Sequence, residues 1–124
     1  MPSAPGTLEQ VLQSIQNAER LLISAHARPD GDAVGSVLAS WMLVQQLGKH
    51  VEMALSDSVP SIYRSLPFAA QIQHWDHVAG QYDAVILLEC DSIERSGMTG
   101  LEDLFLINID HHFSGRPFAS VNCI

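Results

Sequence analysis

Leu21-Leu-Ile-Ser-Ala-His26-Ala-Arg-Pro-Asp30-Gly-Asp32-Ala-Val-Gly-Ser36 is the stretch that decides how the chain is read. Residues 21–25 form an apolar run with no polar face, the habit of a strand buried in a parallel sheet. The run stops at His26 and gives way to a loop in which Gly31 separates Asp30 from Asp32. Ala33, Gly35 and Ser36 then open a helix. Carboxylates this close repel each other and must be solvated, protonated or bound to metal. By itself the loop is equally readable as a plain Asp-Gly-Asp turn.

Working outward, Thr7 with Gln10 makes a capping box, and Leu8, Val11, Leu12 and Ile15 recur at helical spacing. An amphipathic helix is therefore expected over residues 7–20, after a loose tail at 1–6. Val34, Val37, Leu38, Trp41, Met42, Val44 and Leu47 predict a mostly buried helix over residues 33–47, stopped by Gly48. Strands are expected at 51–55, 84–88 and 104–109, with a short edge strand at 72–75. Residues 59–67 read as a short helix or turn, 93–100 as a loop or short helix, and 113–124 as a loop leading into an apolar stub. Strands alternating with helical stretches define an α/β fold with a mostly parallel sheet flanked by helices.

Three apolar strands end in metal-competent side chains. His26, Asp30 and Asp32 follow the first, Asp91 follows residues 84–88, and Asp110, His111 and His112 follow residues 104–109. Ligands of open parallel sheets bind outside the carboxyl ends of the strands, so these clusters are expected to converge there on one metal site. The donors are oxygen and imidazole without a thiolate, which suits manganese, magnesium, iron or cobalt better than a structural zinc cage. They outnumber what one ion needs, and Asp91 could bridge two, the arrangement used to hydrolyse phosphate esters. The helix start after Asp32 could turn amides and a positive dipole end toward a phosphate, with Ser36 a candidate contact. Arg95 and Arg116 follow the second and third clusters and are candidates for clamping phosphate. Cys90 reads as a buried small hydrophobe, and His74-Trp-Asp76-His77 as an exposed turn rather than a metal pair.

Composition bounds the function. The 124 residues, 47% of them apolar, suffice for one domain with a core. A formal net charge of −8 speaks against a broad surface for duplex DNA, but not against a short anionic substrate held by metal ions. Two cysteines without framework spacing predict free thiols in a reducing compartment. With no signal-peptide pattern and no apolar run of membrane-spanning length, the expectation is a cytoplasmic protein without a membrane partner. No GxSxG, dinucleotide fingerprint or Walker A lysine motif is found.

These motifs, from His26-Ala-Arg-Pro-Asp30-Gly-Asp32-Ala-Val-Gly-Ser36 through Asp91 to Asn108-Ile-Asp110-His111-His112, resemble the DHH phosphoesterase family (RecJ-like) in order and spacing. The form of the first motif is similar to the branch of NrnA-type bifunctional oligoribonuclease and pAp phosphatases. The resemblance implies that His26 and Asp30 bind one metal, Asp32 and His111 the other, and that Asp91 bridges them. It implies that His112 contacts the scissile phosphate while Asp110 orients the histidine pair. It further implies two manganese ions, hydrolysis of short RNA or of the 3′-phosphate of pAp, and a two-domain protein that is often a homodimer. Residues 1–124 then correspond to the N-terminal part of a DHH catalytic domain. The family's fourth motif and C-terminal substrate-binding domain are not represented in them, so these residues alone are expected to fall short of a competent enzyme. A cyclic-dinucleotide phosphodiesterase or manganese pyrophosphatase, and a non-catalytic metal- or nucleotide-binding fragment, stand as alternatives.

Overall fold

The structure, a computed structural model, describes residues 8–110 and 118–123. Thr7, His111, His112 and Arg116, all singled out by the sequence, lie outside the described residues.

Ala84-Val-Ile-Leu-Leu carries no polar side chain, so both of its faces must be covered, and β4 (Ala84–Leu88) is buried at every position. It pairs in parallel with β1 (Arg20–Ala25) on one side and β5 (Leu106–Ile109) on the other. β2 (His50–Leu55) pairs with β1, and the two-residue β3 (Gln73–His74) pairs with β2. β6 (Val121–Cys123) completes a six-stranded sheet of order β3-β2-β1-β4-β5-β6, every pairing parallel.

β6 was expected only as an apolar stub. Its three residues are too few to show alternation, and a local contact closes it. The Asn122 amide nitrogen donates to the Ala119 carbonyl at 2.9 Å, and its amide oxygen accepts the Ala119 N–H at 2.9 Å. Val121 and Cys123 are left on the face that joins the main core.

That core also holds α1 (Leu8–Asn17) and α2 (Gly31–Gln46). The expected apolar face of α1 narrows to one ridge: Val11 and Ile15 are buried, whereas Leu8 and Leu12 remain exposed. α2 buries Ala33, Val34, Val37, Leu38, Trp41 and Val44. Met42 and Leu47, expected inside, are exposed, and Gly48 ends the helix with φ of +81°. The helix starts at Gly31, two residues before the expected Ala33, because Asp30 caps it: Oδ1 accepts the Ala33 N–H at 2.9 Å. Residues 59–67 and 93–100 contribute single 3-10 turns, Ser61–Tyr63 and Glu94–Ser96. On the opposite face Leu22, Val85, Leu87 and Leu106 are covered by irregular segments carrying Tyr82, Met98 and Leu101. The α-helices of the described residues thus join the core on one face only.

The amino edge of the sheet is tied by Asp83. Its carboxylate accepts the N–H of Arg20 at 2.9 Å and of Glu19 at 3.0 Å, joining the start of β1 to the start of β4. The Arg20 amide, then the Glu19 amide, hold this carboxyl below its ordinary pKa. A depressed folded-state pKa stabilises above the unfolded value and is lost as pH falls through the folded one. Asp83→Asn is therefore expected to lower the melting temperature at neutral pH and to flatten its decline below about pH 4. Melts of both proteins across that range check this.

Candidate functional site

From β1 the chain runs outward to β2 and β3, then crosses back to lay β4 on the other side of β1. The carboxyl ends of β1 and β4 are the point where the winding reverses, the place where open sheets hold their ligands. Ala25 is level with Leu88, and Leu88 with Ile109, so three neighbouring strands release the chain at one height. His26 follows β1, Glu89, Cys90 and Asp91 follow β4, and Asp110 follows β5. The ladder runs on one step further. The Glu89 N–H donates to the Ile109 carbonyl at 3.0 Å and the Asp110 N–H to the Cys123 carbonyl at 3.0 Å.

Two residues at this reversal adopt left-handed backbone without being glycine: Arg28 at φ +53° and Glu89 at φ +63°. Such conformations cost on the order of 1–3 kcal/mol each and persist where the surroundings impose them. At Arg28 the surroundings include Asp57, whose carboxylate accepts the Arg28 N–H at 2.6 Å.

His26 is buried, with Nδ1 2.7 Å from the Ala27 carbonyl oxygen. A carbonyl only accepts, so in the neutral ring Nδ1 carries the proton and Nε2 keeps its lone pair. Nε2 lies 3.8 Å from Asp30 Oδ1, too far for a hydrogen bond and suited to two donors sharing one cation. Asp32 is exposed on the first turn of α2, Asp91 is half-buried, and Asp110 is buried. Ser36 stands on the second turn of α2 and is half-buried, so it is not the helix cap; Asp30 is. Arg95 has an exposed side chain and braces the site through its main chain, its carbonyl accepting the Ala27 N–H at 2.6 Å.

Burial, and then the nearby Asp110 carboxylate, push the Cys90 thiol up to about 12. It remains a thiol at neutral pH, as expected of a small buried hydrophobe. His74 and His77 are both exposed, and Nδ1 of His77 lies 2.6 Å from the Thr99 hydroxyl. Among the described residues no group of three or more His, Cys, Asp or Glu side chains is close enough to hold an ion. The structure thus brings His26 and Asp30 together, and sets Asp32, Asp91 and Asp110 along the same edge.

Three residues that build the site were not anticipated. Besides Asp57, Tyr63 covers the start of α2: a Cβ on Gly31 would stand 3.1 Å from its hydroxyl. Gly97 has φ of +74°, and a Cβ there would stand 2.4 Å from Ser56 Oγ and 3.3 Å from the Ala27 Cβ. Gly97 therefore lets the loop after Asp91 lie directly on the loop after His26. Gly97→Ala combines a strained φ with that clash and is expected to cost about 1–3 kcal/mol. Thermal or urea melts check this, with the smaller loss expected in a Ser56→Gly background.

Fold and site together define an open parallel α/β domain with a polar, carboxylate-rich edge at its switch point. Residues 20–124 match the DHH family, N-terminal domain, and the chain belongs to that family. It is similar to the bifunctional oligoribonuclease and PAP phosphatase NrnA of Thermus thermophilus, with 30% identity over 116 residues, 93% of this chain and 34% of that protein. In fold it is similar to the crystal structure of an exopolyphosphatase-related protein from Bacteroides fragilis. That match has a TM-score of 0.78 at 20% identity and covers 92% of this chain and 37% of the other. The chain spans about a third of the length of each. No helix among the described residues is long and apolar enough to cross a membrane.

Proposed function

We propose that this chain carries the first ligand clusters of a two-metal phosphoesterase acting on short oligoribonucleotides, on pAp, or on both. The observation that supports this most directly is the level ending of β1, β4 and β5, which puts the polar residues after three strands along one edge of the sheet. Family membership and the similarity to NrnA point the same way.

The oxygen and imidazole donors at this edge are of the kind a divalent cation takes. His26 offers the lone pair of Nε2 to the space beside Asp30, because Nδ1–H is spent on the Ala27 carbonyl, the outer contact usual for metal-binding histidines. In this reading His26, Asp30, Asp32, Asp91 and His111 would hold manganese. Bound there, the metal would supply an activated water and neutralise charge on the phosphoryl oxygens.

The chain's own contribution is placement. Asp30 spends Oδ1 on the Ala33 amide, so its carboxylate is oriented before any ligand arrives. The amino end of α2 adds a positive dipole end at the same edge. In this reading Asp110 orients the histidines that follow it and His112 contacts the scissile phosphate. Cys90 is a buried free thiol, so oxygen and nitrogen are the donors at this edge.

The test is manganese-dependent release of phosphate from pAp and of mononucleotide from a trinucleotide. Asp91→Asn is expected to lower both by at least about a hundredfold while leaving the melting temperature unchanged. Activity that survives the substitution overturns the assignment.

A further inference from the structure

Beside the ligand clusters a cavity of about 340 Å3 opens at the carboxyl ends of β2 and β3. Its floor is apolar, made by Val59, Ala69 and Ile72, and its rim carries Arg64, His74 and Asp57. Nothing in the cluster chemistry uses it. We propose that this cavity receives the nucleoside portion of the substrate, the base lying on the apolar floor against the Arg64 guanidinium. The proposal rests on the phosphoesterase reading above and names where its nucleotide lies.

Three observations carry it. The cavity adjoins the His26–Asp30 loop, because Asp57 both lines it and accepts the Arg28 N–H at 2.6 Å. Tyr63, from the same segment, rests against Gly31 at the start of α2. A phosphate held at the strand ends therefore has its attached sugar and base within reach of this floor.

The second observation is size. The volume stands at the low end of small-molecule sites, roughly 300–1,000 Å3, and suits one nucleoside rather than a dinucleotide.

The third is charge. Asp57 and Arg64 both line the cavity, so a carboxylate accompanies the guanidinium there, which disfavours a second phosphate and favours a neutral group with donors and acceptors. Arg64 Nε donates to the Val59 carbonyl at 2.9 Å, tethering the guanidinium. A tethered planar cation stacks on a base whatever its identity. Gln73 and His74 supply hydrogen-bonding groups at the mouth.

The experiment is a chemical-shift titration of the metal-free chain with AMP and, separately, with ribose 5-phosphate. AMP is expected to shift the amides of residues 57–74, and Arg64→Ala to weaken it about fivefold or more while leaving ribose 5-phosphate unchanged. Since Arg64 also tethers its own loop, Ala70→Leu, an exposed residue lining the cavity, is the second variant and is expected to weaken AMP to a similar extent. AMP affinity indifferent to both substitutions, or equal losses for AMP and ribose 5-phosphate, overturns the proposal. Turnover is not the readout, so the two readings fail separately. A chain that binds AMP through Arg64 but whose manganese affinity is indifferent to Asp91→Asn refutes the metal-site reading and supports the cavity. An active chain with AMP shifts elsewhere does the reverse.

Discussion

The pairing of β1 with β4 is the constraint on which the rest of this domain depends. Leu21 through Ala25 lie level with Ala84 through Leu88, and these side chains are almost wholly removed from solvent. Each large aliphatic buried in this way contributes about 1.5–3 kcal/mol, so the register is specified by many contacts at once. A slip of one residue would turn both apolar faces over and lift His26 out of step with the chain that leaves β4. The site is thus a by-product of core packing: once the strands are level, their polar sequels are level as well.

At that edge the requirements of folding and of chemistry fall on the same atoms. Asp30 caps α2 and stands 3.8 Å from Nε2 of His26. Arg28 takes a costly backbone angle, and Asp57 answers for its amide. Gly97 and Gly31 are small because a loop and a tyrosine press against them. The loop from His26 to Asp30 and the start of α2 are thus held by Asp57, Tyr63 and the close approach at Gly97. Cys90, by contrast, lies among the carboxylates and stays inert because burial withholds the charged form.

Much of this was readable in the sequence, for a physical reason. The central strands are continuous apolar runs, and a break from apolar to Asp or His marks where each one ends. Neighbouring parallel strands then bring those breaks together without further instruction. What escaped reading depends on partners distant in the chain or on elements too short to carry a period. β6 has three residues, and the Asp57 carboxylate meets an amide 29 positions away. Leu8 and Leu12 kept the helical spacing of a core face, yet only one ridge of α1 reaches the sheet. The start of α2 was displaced because Asp30, read as a metal ligand, caps the helix. The apolar floor beside Arg64 is assembled by 3-10 turns and an edge strand, which leave no periodic trace.

The lengths of the strands have a consequence for how the molecule breathes. β3 has two residues and β6 three, whereas β1 has six and is hydrogen-bonded on both sides. Amide protons in the outer strands should exchange with deuterium through small local openings, and those in β1 and β4 only when the whole domain unfolds. The cavity beside β3 sits at the fast-exchanging end of this gradient, while His26 and Asp91 hang from the slow-exchanging centre. The margin of the sheet beside the cavity thus yields first, while the carboxylates that follow the central strands keep their spacing.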